Sequence, residues 1–130
     1  MILHDTACIL VEQRGKILLV RRASRPEKGY WAVPGGHVEK GETFKEAAQR
    51  ESIEEVGGVT IEGREIMRFV HDADVGHRHR AHVFRARVTG KVVAGSDAAE
   101  AQWFSLNQMK KMDITHYTKT ILNKLCGESA

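Results

Sequence analysis

Two runs of apolar residues rich in β-branched types open the chain, Thr6 to Val11 and Ile17 to Val20. The polar stretch Glu12-Gln13-Arg14-Gly15-Lys16 separates them, which predicts a β-hairpin with Gly15 in the turn. Arg21 to Lys28 is basic and contains Pro26, so it reads as a loop, and Trp31 to Val33 as a short strand ended by Pro34-Gly35-Gly36. Thr43-Phe44-Lys45-Glu46 has the S/T-x-x-E form of a capping box, and Gly57-Gly58 supplies a stop, so a helix is expected from about Phe44 to Val56. Val59 to Val70 and Ala81 to Val88 are expected as strands joined by a His- and Arg-rich connection, with a further strand at Ala101 to Phe104. Ser105 and Thr115 are placed to cap two last helices, the second reaching Leu125. Strands, helix, strands and helices in that order predict a layered α/β or α+β domain.

The central helix has the wrong pattern for a plain amphipathic element. At 100° per residue, Glu55 lies ~40° to one side of Glu51 and Glu54 ~60° to the other. Phe44, Ala47 and Ala48 project into the same sector, whereas an ordinary surface helix separates its acidic and apolar faces. Charge composition sharpens this. The chain carries +3 overall, but residues 36 to 58 hold six acids against three bases, and the rest is net +6. Clustered, partly buried carboxylates repel one another and require neutralisation. Arg50, four residues before Glu54, is placed to balance one of them; the others call for a cation, and hard oxygen ligands suit Mg²⁺ or Mn²⁺. A solvated acidic face is the alternative.

At 130 residues, 42% hydrophobic and 28% charged, the sequence reads as one globular domain spanning 1–130. No apolar run approaches the ~18 residues of a membrane span, and Met1 to Leu10 lacks a basic leader and carries Asp5. A cytoplasmic location is expected, and Cys8 and Cys126 suit a reducing compartment.

The stretch from Gly36 through Glu42 to Arg50-Glu51-Ser52-Ile53-Glu54-Glu55-Val56-Gly57 resembles the Nudix box, G-x5-E-x7-R-E-U-x-E-E-x-G-U, where U is a bulky aliphatic residue. All seven fixed residue types stand at the right spacing, while both U positions depart, as Ser52 and Gly58. Trp31-Ala32-Val33-Pro34-Gly35 and Trp103-Phe104 also look like family context. The resemblance implies a Nudix-type α/β/α sandwich with a mixed β-sheet and a loop-helix-loop catalytic motif. It implies Mg²⁺-dependent hydrolysis of a diphosphate bond in a nucleoside diphosphate linked to another group, or, as a MutT-type enzyme, of nucleoside triphosphates. Glu51, Glu54 and Glu55 would then bind the cations with the Gly36 carbonyl. Arg50 would orient Glu51, and Glu42 and Gly57 would support the loop. The general base is open between Glu51 and the rivals Glu100 and Asp97. A non-catalytic binding module is disfavoured because all three carboxylates are kept.

Arg22 matches a position where MutT-type members carry a phosphate-contacting arginine, and a guanidinium fork suits phosphate. His71, His77, His79 and His82 crowd a short region with Arg78 and Arg80; the strict spacing of a zinc site is missing, and in a strand Arg78, Arg80 and His82 would share one face, placed for contact with substrate phosphate or base, with a solvated hairpin as the favoured alternative. Trp31, Tyr30 and Phe69 are candidates to stack on a nucleobase. No Arg/Lys stripe with interleaved aromatics points to nucleic acid, so a small nucleotide is the expected partner, bound by a monomer or homodimer. Downstream proline or tyrosine markers of the ADP-ribose and dinucleoside polyphosphate subfamilies are absent, since the only such residues are Pro26, Pro34, Tyr30 and Tyr117.

Overall fold

The computed structural model describes residues 2–24, 27–74 and 76–126, so Pro26 of the expected loop lies outside the described residues. In chain order the elements are β1 (Ile2–Leu10), β2 (Glu12–Gln13), β3 (Lys16–Arg22), β4 (Trp31–Ala32), β5 (Gly35–His37), α1 (Phe44–Val56), β6 (Gly57–Asp74), β7 (His77–Val92), β8 (Ala98–Phe104), α2 (Leu106–Met109) and α3 (His116–Leu125). One sheet runs β5-β1-β7-β6, with β1 and β7 parallel and the other pairs antiparallel. A second group runs β2-β3-β4, with β8 on the other edge of β3.

The apolar runs are continuous because both of their faces are covered. Ala7, Ile9, Leu18 and Val20 join Ala47, Ala48 and Val56 of α1 in one core cluster. The alternate residues Cys8, Leu10, Ile17 and Leu19 join Ile121 and Leu122 of α3 in another. Period-two alternation therefore distributes each strand between two helical layers, and the expected α/β/α sandwich is the observed architecture. Among the described residues, no helix is long and apolar enough to cross a membrane. Both cysteines are free, and burial pushes the Cys8 thiol up to about 12.

Four expectations are corrected. The turn at Arg14-Gly15, both with positive φ, joins β2 rather than β1 to β3, because β1 is committed to β5 and β7 in the other sheet. Gly35-Gly36 does not merely end a strand. It begins β5, which lies so close to β1 that a Cβ on Gly35 would meet the Ala7 carbonyl oxygen at 2.5 Å. The His/Arg-rich connection is itself strand: β6 and β7 extend towards each other, with His71 opposite His79 and Asp72 opposite Arg78. Polar cross-strand pairs sustain this long hairpin, including Thr60–Thr89 at 2.8 Å and Glu62–Arg87 at 3.1 Å. β8 likewise begins at Ala98, three residues before the expected Ala101.

The helix boundaries follow their caps. Thr43 Oγ1 accepts from the Glu46 N–H at 3.0 Å, and the Glu46 carboxylate accepts from the Thr43 N–H at 2.8 Å, the reciprocal pair expected. Beneath this first turn lies fully buried His82, stacked 3.6 Å from Phe44 between ring centroids. Its two nitrogens contact carboxylates of Glu65 at 2.8 Å and Asp5 at 2.9 Å, and Arg80 forks onto Asp5 at 2.7 and 3.1 Å. The Arg80 hydrogen bond, reinforced by His82, holds the Asp5 carboxyl down from 3.8 to about 2 despite partial burial. A depressed carboxyl stabilises the fold above its unfolded value, and the contribution disappears as pH falls through the folded value. Asp5→Ala is therefore expected to cost about 1–3 kcal/mol at neutral pH by orphaning buried polar partners. Urea unfolding should show the gap from the wild type narrowing as pH drops from about 4 to about 2. A gap independent of pH would rule out the ionic origin.

Candidate active site

The capping box fixes where α1 begins, and the helical period then fixes where its carboxylates point. Glu51 and Glu55 face one cavity of about 330 Å³ together with Gly36, Arg22 and Asp97. Glu55 is buried, and its Oε1 accepts the Gly35 N–H at 2.8 Å. Burial raises its carboxyl to about 8; the Gly35 hydrogen bond opposes this, and the neighbouring Glu51 charge adds to it. Burial also raises the Glu51 carboxyl, with Arg50 opposing. The Glu51 side chain, 20% exposed, packs its carboxylate directly over the Cα of Gly36. Glu54 stands at the rim, 46% exposed.

Arg50 organises this edge. Its principal partner is Glu42, met bidentately at 2.6 and 3.0 Å, rather than Glu54, which it approaches only at 3.5 Å. The same guanidinium donates to Glu51 at 3.1 Å and to the His37 carbonyl at 3.1 Å. One residue thus ties α1 to the loop before it and to β5. The Arg50 bond holds the Glu42 carboxyl below its usual range, while Glu42 and then Glu51 raise the already basic guanidinium. Gly57 closes the helix with φ 76° and donates to the Ile53 carbonyl.

Two residues that depart from the expected bulky positions are explained by packing. Ser52 is fully buried, and its hydroxyl donates to the Ala48 carbonyl at 2.5 Å. Gly58 lies against the backbone of Gly90 on β7, where a side chain has no room.

Glu51 and Glu55 form a hard-oxygen donor set whose raised carboxyls mark buried charge in need of neutralisation, so the chemistry fits a hard divalent cation. Among the described residues, no three carboxylate or imidazole groups already converge on one ion position, and Glu54 is turned to solvent rather than into the cavity lining. Of the two rival acids, Asp97 lines the cavity, while Glu100 is held by Arg21 at 2.6 Å and by Gln102 at 3.0 Å and is not among the lining residues. Arg22 lines the cavity at the end of β3.

The histidine wall of the cavity was not legible locally. His37, His71 and His79 line it with Tyr117 from α3, which stacks on His71 at 5.6 Å and donates to the Val33 carbonyl at 3.0 Å. Burial, then repulsion from the neighbouring histidines, lowers His79 to about 4. His82 belongs to the ion network under α1, not to this wall. Trp31 and Phe69 pack into the α3-side core, and neither they nor Tyr30 line the cavity.

The chain is similar in sequence and in fold to known proteins. A family model described as NUDIX domain matches residues 2–125. An ADP-ribose pyrophosphatase of Methanocaldococcus jannaschii is 36% identical over 121 residues, covering 88% of this chain and 70% of that protein. The crystal structure of a MutT protein from Methanosarcina mazei Go1 superposes with a TM-score of 0.84 at 27% identity, covering 98% and 96% of the two chains. A bifunctional NMN adenylyltransferase/ADP ribose pyrophosphatase from Francisella tularensis, complexed with AMP and a Mn ion, superposes with a TM-score of 0.79 at 26% identity. The match covers 98% of this chain but only 42% of that longer one.

Proposed function

The chain belongs to the Nudix hydrolase family, and on that premise we propose that it hydrolyses the diphosphate bond of a nucleoside diphosphate linked to a second group, with Mg²⁺ as cofactor and Mn²⁺ as a substitute. The observation that carries this reading is the convergence of Glu51, Glu55 and Arg22 on one cavity, with Arg50 holding Glu51 in place. A divalent cation in such a site neutralises phosphate charge and makes bound water more acidic.

The residues divide the work as follows. Glu51, Glu54 and Glu55 hold the cation together with the Gly36 carbonyl. Arg22 binds a phosphate oxygen through its guanidinium. Glu51 takes the proton of the attacking water, a role worth ~10²–10⁴ in rate. Arg50 keeps Glu51 ionised and aimed, Glu42 anchors Arg50, and Gly57 ends the helix so that Glu54 and Glu55 stay in register. Asp97 is an additional ligand or base lining the same cavity, its charge acting on Glu55; the Arg21 ion pair makes Glu100 the weaker rival.

The likeness to a MutT protein along nearly the full length of both chains favours a second reading, pyrophosphohydrolysis of normal or oxidised nucleoside triphosphates. Product analysis with Mg²⁺ over ADP-ribose, nucleotide sugars, dinucleoside polyphosphates and (deoxy)nucleoside triphosphates separates the two. The linked diphosphates should be cleaved to two monophosphates, and preferential release of pyrophosphate from triphosphates would select the second reading. Glu54→Gln, run in parallel, should lower the rate at least ~10²-fold because a cation ligand is lost. Hydrolysis of none of these compounds, or equal rates in the two proteins, would sink the assignment.

A further inference from the structure

Diphosphate hydrolysis, as proposed, makes no use of the histidines on the sheet face beside the cavity. Strand register gathers them. His77 and His79 are two apart on β7 and project to one side; His4 on β1 stands opposite His79; His37 on β5 pairs with Thr6, two residues beyond His4. Three of these rings form a compact triangle. Centroids are 5.7 Å apart for His4–His37, 5.0 Å for His37–His79 and 6.1 Å for His4–His79. The interplanar angles are 85°, 86° and 80°, so each ring stands nearly perpendicular to the other two.

That is the spacing of imidazoles around one metal. Zinc–nitrogen bonds of about 2.0–2.1 Å in a tetrahedral set place ring centres about 5 Å apart. The nitrogens do not yet converge on one point, since the described residues contain no preformed metal cluster. A half-turn about χ2, however, exchanges the nitrogen and carbon edges of a ring without moving its centroid. Among the described residues, no carboxylate lies in ion-pair range of His4, His37 or His79, in contrast to His82 with its two. His4 and His79 are only partly buried and His37 is exposed, so an ion has access. His77 supports the set from outside, its Nδ1 3.3 Å from the Nε2 of His4.

We propose that His4, His37 and His79 form a site for a borderline transition ion of the zinc class at the rim of the cavity. The site is separate in ligand chemistry from the hard-oxygen site on α1. Imidazole selects zinc, cobalt or nickel where carboxylate and carbonyl oxygen select magnesium. With His37 and His79 also lining the cavity, an ion there fixes that part of its wall.

The test uses the full chain carrying Cys126→Ser, to remove an exposed thiol, in excess Mg²⁺. Co²⁺ serves as the optical probe and Zn²⁺ as competitor. The expected result is one Co²⁺ per chain, with the intense visible bands of a four- or five-coordinate nitrogen site, bleached by stoichiometric Zn²⁺. His4→Ala, outside the cavity lining, should weaken binding by at least ~10-fold, and His79→Gln should do the same if His4→Ala does not fold. Glu51→Gln should leave the spectrum intact. Absence of the bands, bands unchanged in the histidine variants, or bands lost in Glu51→Gln would each overturn the proposal. None of these readouts depends on hydrolysis.

Discussion

Glu51→Gln is expected to lower kcat by about 10²–10⁴-fold while leaving the folded protein intact. The substitution is nearly isosteric. The amide oxygen still accepts from the Arg50 guanidinium, which meets the carboxylate at 3.1 Å, so the Arg50–Glu42 brace stays closed. What disappears is a negative charge facing the cavity and the group proposed to accept the water's proton. Burial already raises the Glu51 carboxyl, meaning that the fold pays to keep it ionised. A raised carboxyl favours folding below its unfolded value, and that contribution is lost as pH rises through the folded value. Above that range, melting without divalent cation should therefore show Glu51→Gln no less stable than the wild type. Rates measured at saturating Mg²⁺ separate lost proton transfer from weakened cation binding. A variant that retains wild-type kcat would remove Glu51 from the chemistry and shift the base to Asp97, which lines the same cavity.

What could be read from the sequence follows the range of the interactions involved. The capping box and Gly57 are local, so α1 begins and ends where those residues place it. The inward turn of Glu51 and Glu55 was also legible, because helical period and small neighbours at Ala47 and Ala48 fix it. The exposure of Glu54 was less so. It sits on the same arc, but its side chain is 46% exposed and outside the cavity lining, and only the position of the sheet decides which carboxylates the cavity admits. Arg50 illustrates the same limit. The i,i+4 rule pairs it with Glu54, yet a bidentate grip on Glu42, from the loop eight residues earlier, is stronger. The histidines were conspicuous as a group, but composition could not show that His82 goes under α1 while His37 and His79 go to the cavity. That partition depends on β1 pairing with β7 in parallel, a contact across more than seventy residues.

The sharpest test of the site's geometry is a pair of adjacent glycines that should fail in opposite ways. Neither Gly35 nor Gly36 has a positive φ, so alanine is conformationally permitted at both, and the outcome depends on what the new methyl group meets. At Gly36 it meets the carboxylate of Glu51, with the two oxygens 2.5 and 2.6 Å away. That is the mobile end of a side chain, which swings aside at little cost to the fold. Displacement of a catalytic group by about 1 Å costs about 10²-fold in rate, so Gly36→Ala should lose about that much kcat/KM and keep a near-normal melting temperature. At Gly35 the methyl group instead meets the Ala7 carbonyl oxygen at 2.5 Å and the Cys8 Cα at 2.7 Å. Those belong to the β1 backbone, which cannot move without opening the sheet, so Gly35→Ala should destabilise by about 1–3 kcal/mol. Thermal melts and steady-state rates on the two variants read both effects. If Gly36→Ala keeps wild-type kcat/KM, hydrolysis does not depend on Glu51 lying against Gly36. A destabilised Gly36→Ala with a normal rate per folded molecule would instead make that contact part of the framework.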